Sequence, residues 1–411
     1  MNYFTKESTL LEIVEQYPET VPVFTSNGFS QMDNPEKRAI FAKSITLKMA
    51  LALKQLDLEI FSKLLVEVID NQNEEIDATL ATTSHNESEE ALNVVGLLPC
   101  PVRIPLLEQF NTFAKEYKNN HNYSINHELK AASMGIDWIE ENIKNIESAD
   151  SLPDLFISAG FDMFFDEDMI GKFKRQNIFA DTTKFEKFND SFSEIELQDP
   201  KKHYAMIGVV PAVFLINTKE LGDIPMPQSW EDILKPEFEQ RVSLPVGDFD
   251  LFNGILLNIH KIYGDEGVVK LGRSLLESLH PSQMVKSDRK KGIKPIVTIM
   301  PYFFTKMVKN GGPMAAVWPE DGAIISPIFM LSKTQKIDKL QPVIDFFASE
   351  NVGKILSHSG LFPTVHPDVD NRIPKENKFM WLGWDYIYSN DISKLIKHCE
   401  ALFENSLNKG A

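Results

Sequence analysis

The sequence lacks the features of a membrane-spanning or nucleic-acid-binding protein. Its 411 residues include 42 Lys and Arg against 59 Asp and Glu, a formal net charge of −17, which disfavours binding to a phosphate backbone through counterion release. No stretch approaches the roughly 20 apolar residues of a spanning helix. The opening residues, MNYFTKESTLL, have neither the basic start nor the apolar core of a secretory signal. We therefore expect a cytoplasmic protein with no nucleic-acid partner and no membrane span, and a periplasmic or extracellular one only if a leader has been removed.

Cysteine is scarce, and histidine is scattered. Cys100 and Cys399 are the only two thiols, which excludes a disulfide scaffold and favours a reducing compartment. The nine histidines form no HxH or HExxH motif, so the sequence does not predict a preset zinc site. Phosphate-loop and dinucleotide fingerprints are also absent. We expect no cofactor.

The chain divides by pattern into a short helical part and a long α/β part. Thr9 and Glu12 have the spacing of a capping box at the start of an apolar helical stripe, and we assign residues 1–70 to a small helical domain. Residues 71–90 are polar and acidic, with too few apolar side chains to offset the entropy of ordering, and we interpret them as a linker. From residue 91 onward, strand-like apolar runs alternate with helical periods, which is typical of strands covered by helices on both faces.

Two motifs in the long part resemble one family. PMPQSWEDILKPEFEQRVSLP, residues 225–245, and WPEDGAIISPIFMLSK, residues 318–333, resemble segments of the type 2 periplasmic solute-binding proteins, the two-lobed receptors of ABC importers. The resemblance covers residues 91–411. It implies an α/β, two-lobed type 2 periplasmic-binding-protein-like fold with two crossover strands, preceded here by the small all-α N-terminal domain. Lobe 1 would comprise about 91–209 and 326–411, and lobe 2 about 210–325.

The helical part has a resemblance of its own. STLLEIVEQYPETVPVFTSNGF is similar to a domain of unknown function that accompanies hybrid-cluster and iron–sulfur repair proteins. Redox versions of that domain carry a cysteine pair after the Asn-Gly turn, whereas residues 29–33 here read FSQMD. The resemblance therefore implies the fold and a possible protein partner, without redox chemistry.

Candidate site residues of the first lobe follow predicted strands. Cys100 and Arg103 lie in LLPCPVR, where a strand ends and a helix begins, the edge at which open α/β sheets bind ligands. Cys100 is either a thiolate ligand or a partly buried free thiol, and Arg103 either binds an oxyanion or pairs with a surface acid. Ser158 and Gly160 follow the DLFIS strand as a solute contact or a plain turn, with Phe161 or Asp162 as a pocket wall.

Candidate residues of the second lobe are acidic and aromatic. Asp248, Phe249 and Asp250 follow the RVSLP strand and could hold a cation, although a helix cap explains Asp250 equally well. Asp321 is a ligand acid by family position or a turn residue by propensity, and Trp318 is a candidate cleft lining. The paired tyrosines of many ferric-binding relatives are not found in AIISPIF, which argues against ferric binding of that type.

These observations favour binding over catalysis. The polar residues are isolated at strand ends rather than converging as acid, base and nucleophile. We expect non-catalytic binding of a small molecule or ion in an interlobe cleft that closes about hinges near Gly208–Val210 and Ser326–Pro327, as an ABC-transporter substrate-binding-like protein or a cytosolic sensor or carrier. The alternative is an enzyme or a redox or metal-maturation accessory that uses Cys100.

Overall fold

A computed structural model of the chain contains two compact units, Met1–Glu87 and Ser88–Ala411. The predicted linker, residues 71–90, lies outside the residues that the structure describes. Those residues run from 3 to 407, apart from 18–19, 27–28, 33–37, 39–40, 44, 55–57, 59–60, 63–64, 67–68, 70–90, 122, 133–135, 247–248, 279–292 and 309–310.

The first unit is helical in its described part. The predicted capping box is confirmed, because the Glu12 amide donates to Thr9 Oγ1 over 3.2 Å and the Thr9 amide donates to Glu12 Oε2 over 2.7 Å. Apolar side chains, including Leu10 and Phe24, form a buried core of this unit alone. Its helices are α1 Leu10–Gln16, α2 Val21–Ser26 and α3 Leu47–Lys54, with a 3₁₀ turn at Ser30–Met32.

The second unit is built on one sheet of ten strands. Its order is β2-β1-β3-β9-β4-β7-β5-β6, with β8 paired to β4 and β10 paired to β9. β1 runs parallel to β2 and β3, and β5 runs parallel to β6 and β7. The strands are β1 Ala91–Leu98, β2 Ser124–Ala131, β3 Leu155–Ala159, β4 Ala205–Asn217, β5 Val242–Leu244, β6 Leu275–Ser278, β7 Val297–Pro301, β8 Met314–Val317, β9 Ala323–Ser332 and β10 Phe379–Met380.

Helices cover both faces of this sheet. Successive residues of β3 alternate between two hydrophobic clusters, with Leu155 and Ile157 in one and Phe156 in the other, so the prediction of strands buried on both faces is confirmed. No described helix is long and apolar enough to cross a bilayer. The helices are α4 Arg103–His121, α5 Asp137–Lys144, α6 Gly171–Lys174, α7 Thr218–Leu221, α8 Trp230–Ile233, α9 Phe249–Ser274, α10 Ile337–Phe347, α11 Glu350–Lys354, α12 Trp384–Ser389 and α13 Ile392–Leu407.

Two long strands connect the parallel halves of the sheet, as the sequence predicts. Ala205–Ala212 of β4 pairs antiparallel with β9, and Ala212–Ile216 of the same strand pairs antiparallel with β7. At its other edge β9 pairs with β3. Every residue of β4 and β9 is buried. These two strands therefore carry the chain between a lobe built on β1–β3 and a lobe built on β5–β7.

Candidate functional site

The strand register places the carboxyl ends of strands from both lobes at the middle of the crossover strands. Ala159, the last residue of β3, pairs with Ile328 of β9. Pro301, the last residue of β7, pairs with Ala212, which in turn pairs with Ile324 of β9. Along the strand direction the two ends are therefore four residues of β9 apart, about 13 Å, while three strand spacings separate β3 from β7 across the sheet. Ligands of open α/β sheets bind beyond such strand ends.

The loop after β1 belongs to this edge. Cys100 begins a 3₁₀ turn, Cys100–Val102, and its side chain lies outside what the structure describes. Arg103 follows as the first residue of the 19-residue helix α4. Its side chain is 6% exposed and takes part in an interaction within the chain. A buried guanidinium at the strand-end edge makes this a favourable place for an anion.

The turn after β3 holds a half-buried carboxyl group, that of Asp162. Ser158 is fully buried, and its Oγ donates to Asp162 Oδ2 over 3.3 Å. The Phe164 amide donates to Asp162 Oδ1 over 3.0 Å. Desolvation raises the pKa of Asp162 from 3.8 to about 8, although both hydrogen bonds oppose the rise and the charge of Glu140 adds to it. Asp162 is therefore largely protonated at neutral pH and can donate as well as accept a hydrogen bond.

Gly160 gives this turn its shape. Its φ of 89° lies in the region that favours glycine, and its amide donates to Pro327 O over 2.8 Å. The hydrogen bond fixes the end of β3 against the middle of β9. The structure thus places Ser158, Gly160 and Asp162 at one strand end, as the sequence predicts.

Phe161 lies in the core rather than along an open wall. Its ring is fully buried and stacks on Trp381 with the ring centroids 5.7 Å apart. The Phe161 carbonyl accepts a hydrogen bond from Asn253 Nδ2 over 3.0 Å, which links the first lobe to α9.

The acidic triplet of the second lobe is only partly described. Asp248 lies outside the described residues, and Phe249 and Asp250 open α9 with side chains that the structure does not describe. Asn253, which sequence reasoning missed, is 8% exposed, and its Oδ1 has no hydrogen-bond partner among the described residues. A polar residue three positions after Asp250 lies on the same helix face, which is the signal that identifies it.

An aromatic pair follows β7. Tyr302 opens the 3₁₀ turn Tyr302–Met307 directly after the strand, and its ring contacts that of Trp318 edge to face at 5.2 Å. Both side chains are half-buried, and burial raises the pKa of the Tyr302 hydroxyl. The predicted Trp318 therefore lies beside a strand end. Tyr302 lies before the AIISPIF segment, in which ferric-binding relatives carry their paired tyrosines, so no sequence motif marks it.

The Asp321 carboxylate contacts the first residue of helix α8. Its Oδ2 accepts the Trp230 amide over 3.0 Å, and the neighbouring Gly322 carbonyl accepts Trp230 Nε1 over 2.9 Å. Burial raises the pKa of Asp321. The sequence offers Asp321 either as a ligand acid or as a turn residue. The interpretation as a turn residue accounts for its contacts, because the carboxylate accepts the first amide of α8.

Two family models match the chain. The model described as bacterial extracellular solute-binding protein matches residues 150–390. DUF1858, a domain of unknown function, matches residues 4–61. No curated protein matches the chain.

Solved structures share the fold of the second unit. The ferric binding protein from Campylobacter jejuni aligns at 15% identity and a TM-score of 0.52, covering 77% of this chain and 99% of its own. A Trichodesmium protein in complex with iron and citrate aligns at 13% identity with a TM-score of 0.54, and the alignment covers 76% of this chain and 99% of that protein. The periplasmic binding protein AfuA from Actinobacillus pleuropneumoniae, with fructose-6-phosphate bound, aligns at 12% identity with a TM-score of 0.50. The alignment covers 77% of this chain and 99% of AfuA. At these identities the similarity is one of fold.

Proposed function

Because the chain belongs to the bacterial extracellular solute-binding protein family, we propose that it binds a small solute in the cleft between its lobes, without catalysis, and closes on it. The observation that carries the proposal is the convergence of strand ends from both lobes on residues 324–328 of β9. We also propose that the chain passes from lobe 1 to lobe 2 near residues 209 and 210, and returns to lobe 1 near residues 325 and 326.

The first lobe favours an anionic, oxygen-rich solute. Arg103 at the start of α4 supplies positive charge and a forked donor group. Ser158, inside β3 near its end, adds a hydroxyl, and the turn after β3 adds the backbone of Gly160 and a protonated Asp162, which presents no negative charge to an anion at neutral pH. Cys100 is proposed as a neighbouring contact from the same strand-end loop.

The second lobe closes over the same solute. Asn253 offers a buried carbonyl oxygen that has no described partner, which can accept a solute hydroxyl or a bridging water. Tyr302 and Trp318 supply a phenol and an aromatic wall at the end of β7. Phe249 with the two acids of the triplet, Asp248 and Asp250, is proposed to flank them, and these acids would select for solute hydroxyl or amine groups.

The crossover strands are suited to a hinge. Pro211 pairs with Ile325, and Val209 pairs with Pro327, and neither proline can donate to the ladder. The Val209 amide donates to Pro363 O over 2.9 Å, so it faces away from β9. Because β4 and β9 connect the two lobes, a few backbone torsions near these residues can absorb a lobe rotation.

Location and partner are further parts of this proposal. The cytoplasmic location, with a sensor or carrier role, is tested by fractionating the cells that make the protein. Purification through a tagged first unit, with a matched chain that starts at residue 88, tests for a protein partner of that unit. The alternative use of Cys100 in an enzyme or maturation accessory predicts that Cys100→Ser abolishes a reaction, whereas the proposed binder keeps solute affinity within a few fold.

Ligand discovery tests the proposal directly. Native mass spectrometry of the full chain, purified without added solute, should show a bound small anion. Thermal unfolding should then be followed with ferric citrate and with fructose 6-phosphate, compounds suggested by the bound solutes of the similar structures. A solute at one hundred times its Kd raises the free energy of unfolding by about 2.7 kcal/mol. Stabilisation that Arg103→Ala leaves unchanged would contradict the proposed cleft.

A further inference from the structure

A second polar cluster lies on the helices rather than at the strand ends. Asp265 Oδ1 is 3.1 Å from His260 Nε2 and 2.9 Å from His398 Nε2. One donor atom from each of the three residues lies within 4.8 Å of the other two. The side chains of His260, Asp265 and His398 are 20%, 57% and 49% exposed, so the cluster is open to solvent on one side.

A break in α9 brings two of these residues together. Residues five apart on a continuous helix point about 140° away from each other, so His260 and Asp265 would not meet. Gly264 interrupts the helix with φ 65° and ψ −163°. A Cβ there would meet nothing within 4 Å, so glycine is required for its backbone conformation and not for space. The break turns the Asp265 carboxylate back to His260.

Close packing of α13 on α9 supplies the third residue. The rings of Phe252 and Phe403 meet edge to face at 5.1 Å. At Gly272 the helices approach so closely that a Cβ would lie 1.7 Å from Ser406 Oγ. This contact fixes the register of the two helices and sets His398 opposite the break.

A hydrogen bond at Nδ1, the ring nitrogen that faces away from the cluster, orients the His260 ring. Its Nδ1 lies 3.2 Å from the hydroxyl of Tyr386 on α12. A hydroxyl both donates and accepts, so Tyr386 can accept Nδ1–H and leave the Nε2 lone pair pointing into the cluster. Metal-binding histidines in proteins are commonly held in this way by an outer partner.

We propose that His260, Asp265 and His398 bind a divalent transition-metal ion of the Zn²⁺ type, with a fourth position open to solvent. Two imidazoles and a carboxylate are a ligand set that Zn²⁺ accepts, whereas Mg²⁺ and Ca²⁺ prefer oxygen alone. Ligand atoms around tetrahedral Zn²⁺ are about 3.3 Å apart, given bonds of 2.0–2.1 Å. The observed 2.9 and 3.1 Å reach that spacing with side-chain movements of a few tenths of an ångström.

The site lies apart from the strand-end cleft and has its own consequence. An ion held there joins α9 to α13 and so stabilises the packing of the C-terminal helix. The sequence does not predict this site, because the histidines form no HxH or HExxH motif and His398 lies 138 residues after His260. Only the break at Gly264 and the packing of α13 bring the ligands together.

Calorimetric titration of the metal-stripped full chain with Zn²⁺ tests the proposal. We expect one site that is lost or weakened at least tenfold in His398→Gln and in Asp265→Asn, and unaffected in His121→Gln, a control at the exposed end of α4. Tyr386→Phe should weaken it about 10–100-fold, as loss of an outer partner does.

Two results would overturn the proposal. The first is the absence of Zn²⁺ binding to the unmodified chain, with Mg²⁺ titrated as a reference. The second is equal affinity in the unmodified chain, His398→Gln and Asp265→Asn. Unfolding curves of each variant without metal show whether it is folded, and because His398 and Asp265 are about half exposed, either variant alone is sufficient for the comparison.

Discussion

Val210 of β4 and Ser326 of β9 are direct partners in the antiparallel ladder between the lobes. Val210 lies in the apolar run after Tyr204, and Ser326 lies in the WPEDGAIISP motif. The sequence predicts that each of these segments crosses between the lobes. Their pairing means that the two connections cross side by side. We propose that a rotation at this point changes the width of the cleft.

Arg103 is expected to determine the affinity for an anion. Arg103→Lys keeps the charge but loses the forked donor geometry, so affinity for the bound anion should fall about tenfold or more, in line with 1.5–3 kcal/mol for a charged hydrogen bond. Arg175→Lys, at an exposed ion pair with Glu167, is the matched control. Equal affinities in both variants would place the anion elsewhere.

Asp162 should make stability depend on pH. Its folded pKa of about 8 lies above the ordinary 3.8, so between these values the folded state holds a proton that the unfolded state has lost. The free energy of unfolding therefore falls as the pH rises from about 4 to 8. In Asp162→Asn the fall should be smaller, by on the order of 2–5 kcal/mol across that window.

The measurement is urea unfolding at several pH values. Asp368→Asn, at an exposed acid, should keep the pH dependence of the unmodified chain. A parallel pH profile for Asp162→Asn and the unmodified chain would show that the Asp162 carboxyl titrates normally.

Gly160 and Gly311 allow backbone strain to be separated from solute contact. Both have positive φ, 89° and 74°, and Ala at such a position costs about 1–3 kcal/mol. Both Gly160→Ala and Gly311→Ala should lower the melting temperature, but only Gly160→Ala, beside the cleft, should also weaken solute binding. If solute affinity falls equally in both, the effect is one of general stability.

The predicted linker offers a test of the domain boundary. Residues 71–90 contain five Glu and no Lys or Arg, so limited digestion with a Glu-specific protease should cut there first and release two folded fragments. Trypsin should leave this stretch intact. First cleavage within residues 91–407 would move the boundary.

Local pattern predicts the α/β layers and the family resemblance predicts the two-lobed fold, whereas the site depends on non-local pairing. The apolar runs of β1, β3 and β4 predict buried strands, and the SWED motif around Trp230 predicts the second lobe. Phe161 shows the limit, because it packs against Trp381, which lies 220 residues later in the chain, and no local pattern predicts that contact. Tyr302 shows a second limit. Only the register of the strands determines which strand end faces the cleft, and the register cannot be read from the local sequence.

The central claim is that solute closes the two lobes, and the direct measurement is an interlobe distance. Fluorophores at Lys118 of α4 and Glu239 after α8, both exposed, can be attached in the full chain through unnatural amino acids, leaving both cysteines untouched. Energy transfer is compared with and without the solute that native mass spectrometry identifies, at one hundred times its Kd. We predict a single shorter distance with solute and a longer or broader one without it. An unchanged distance in the saturated protein would contradict closure.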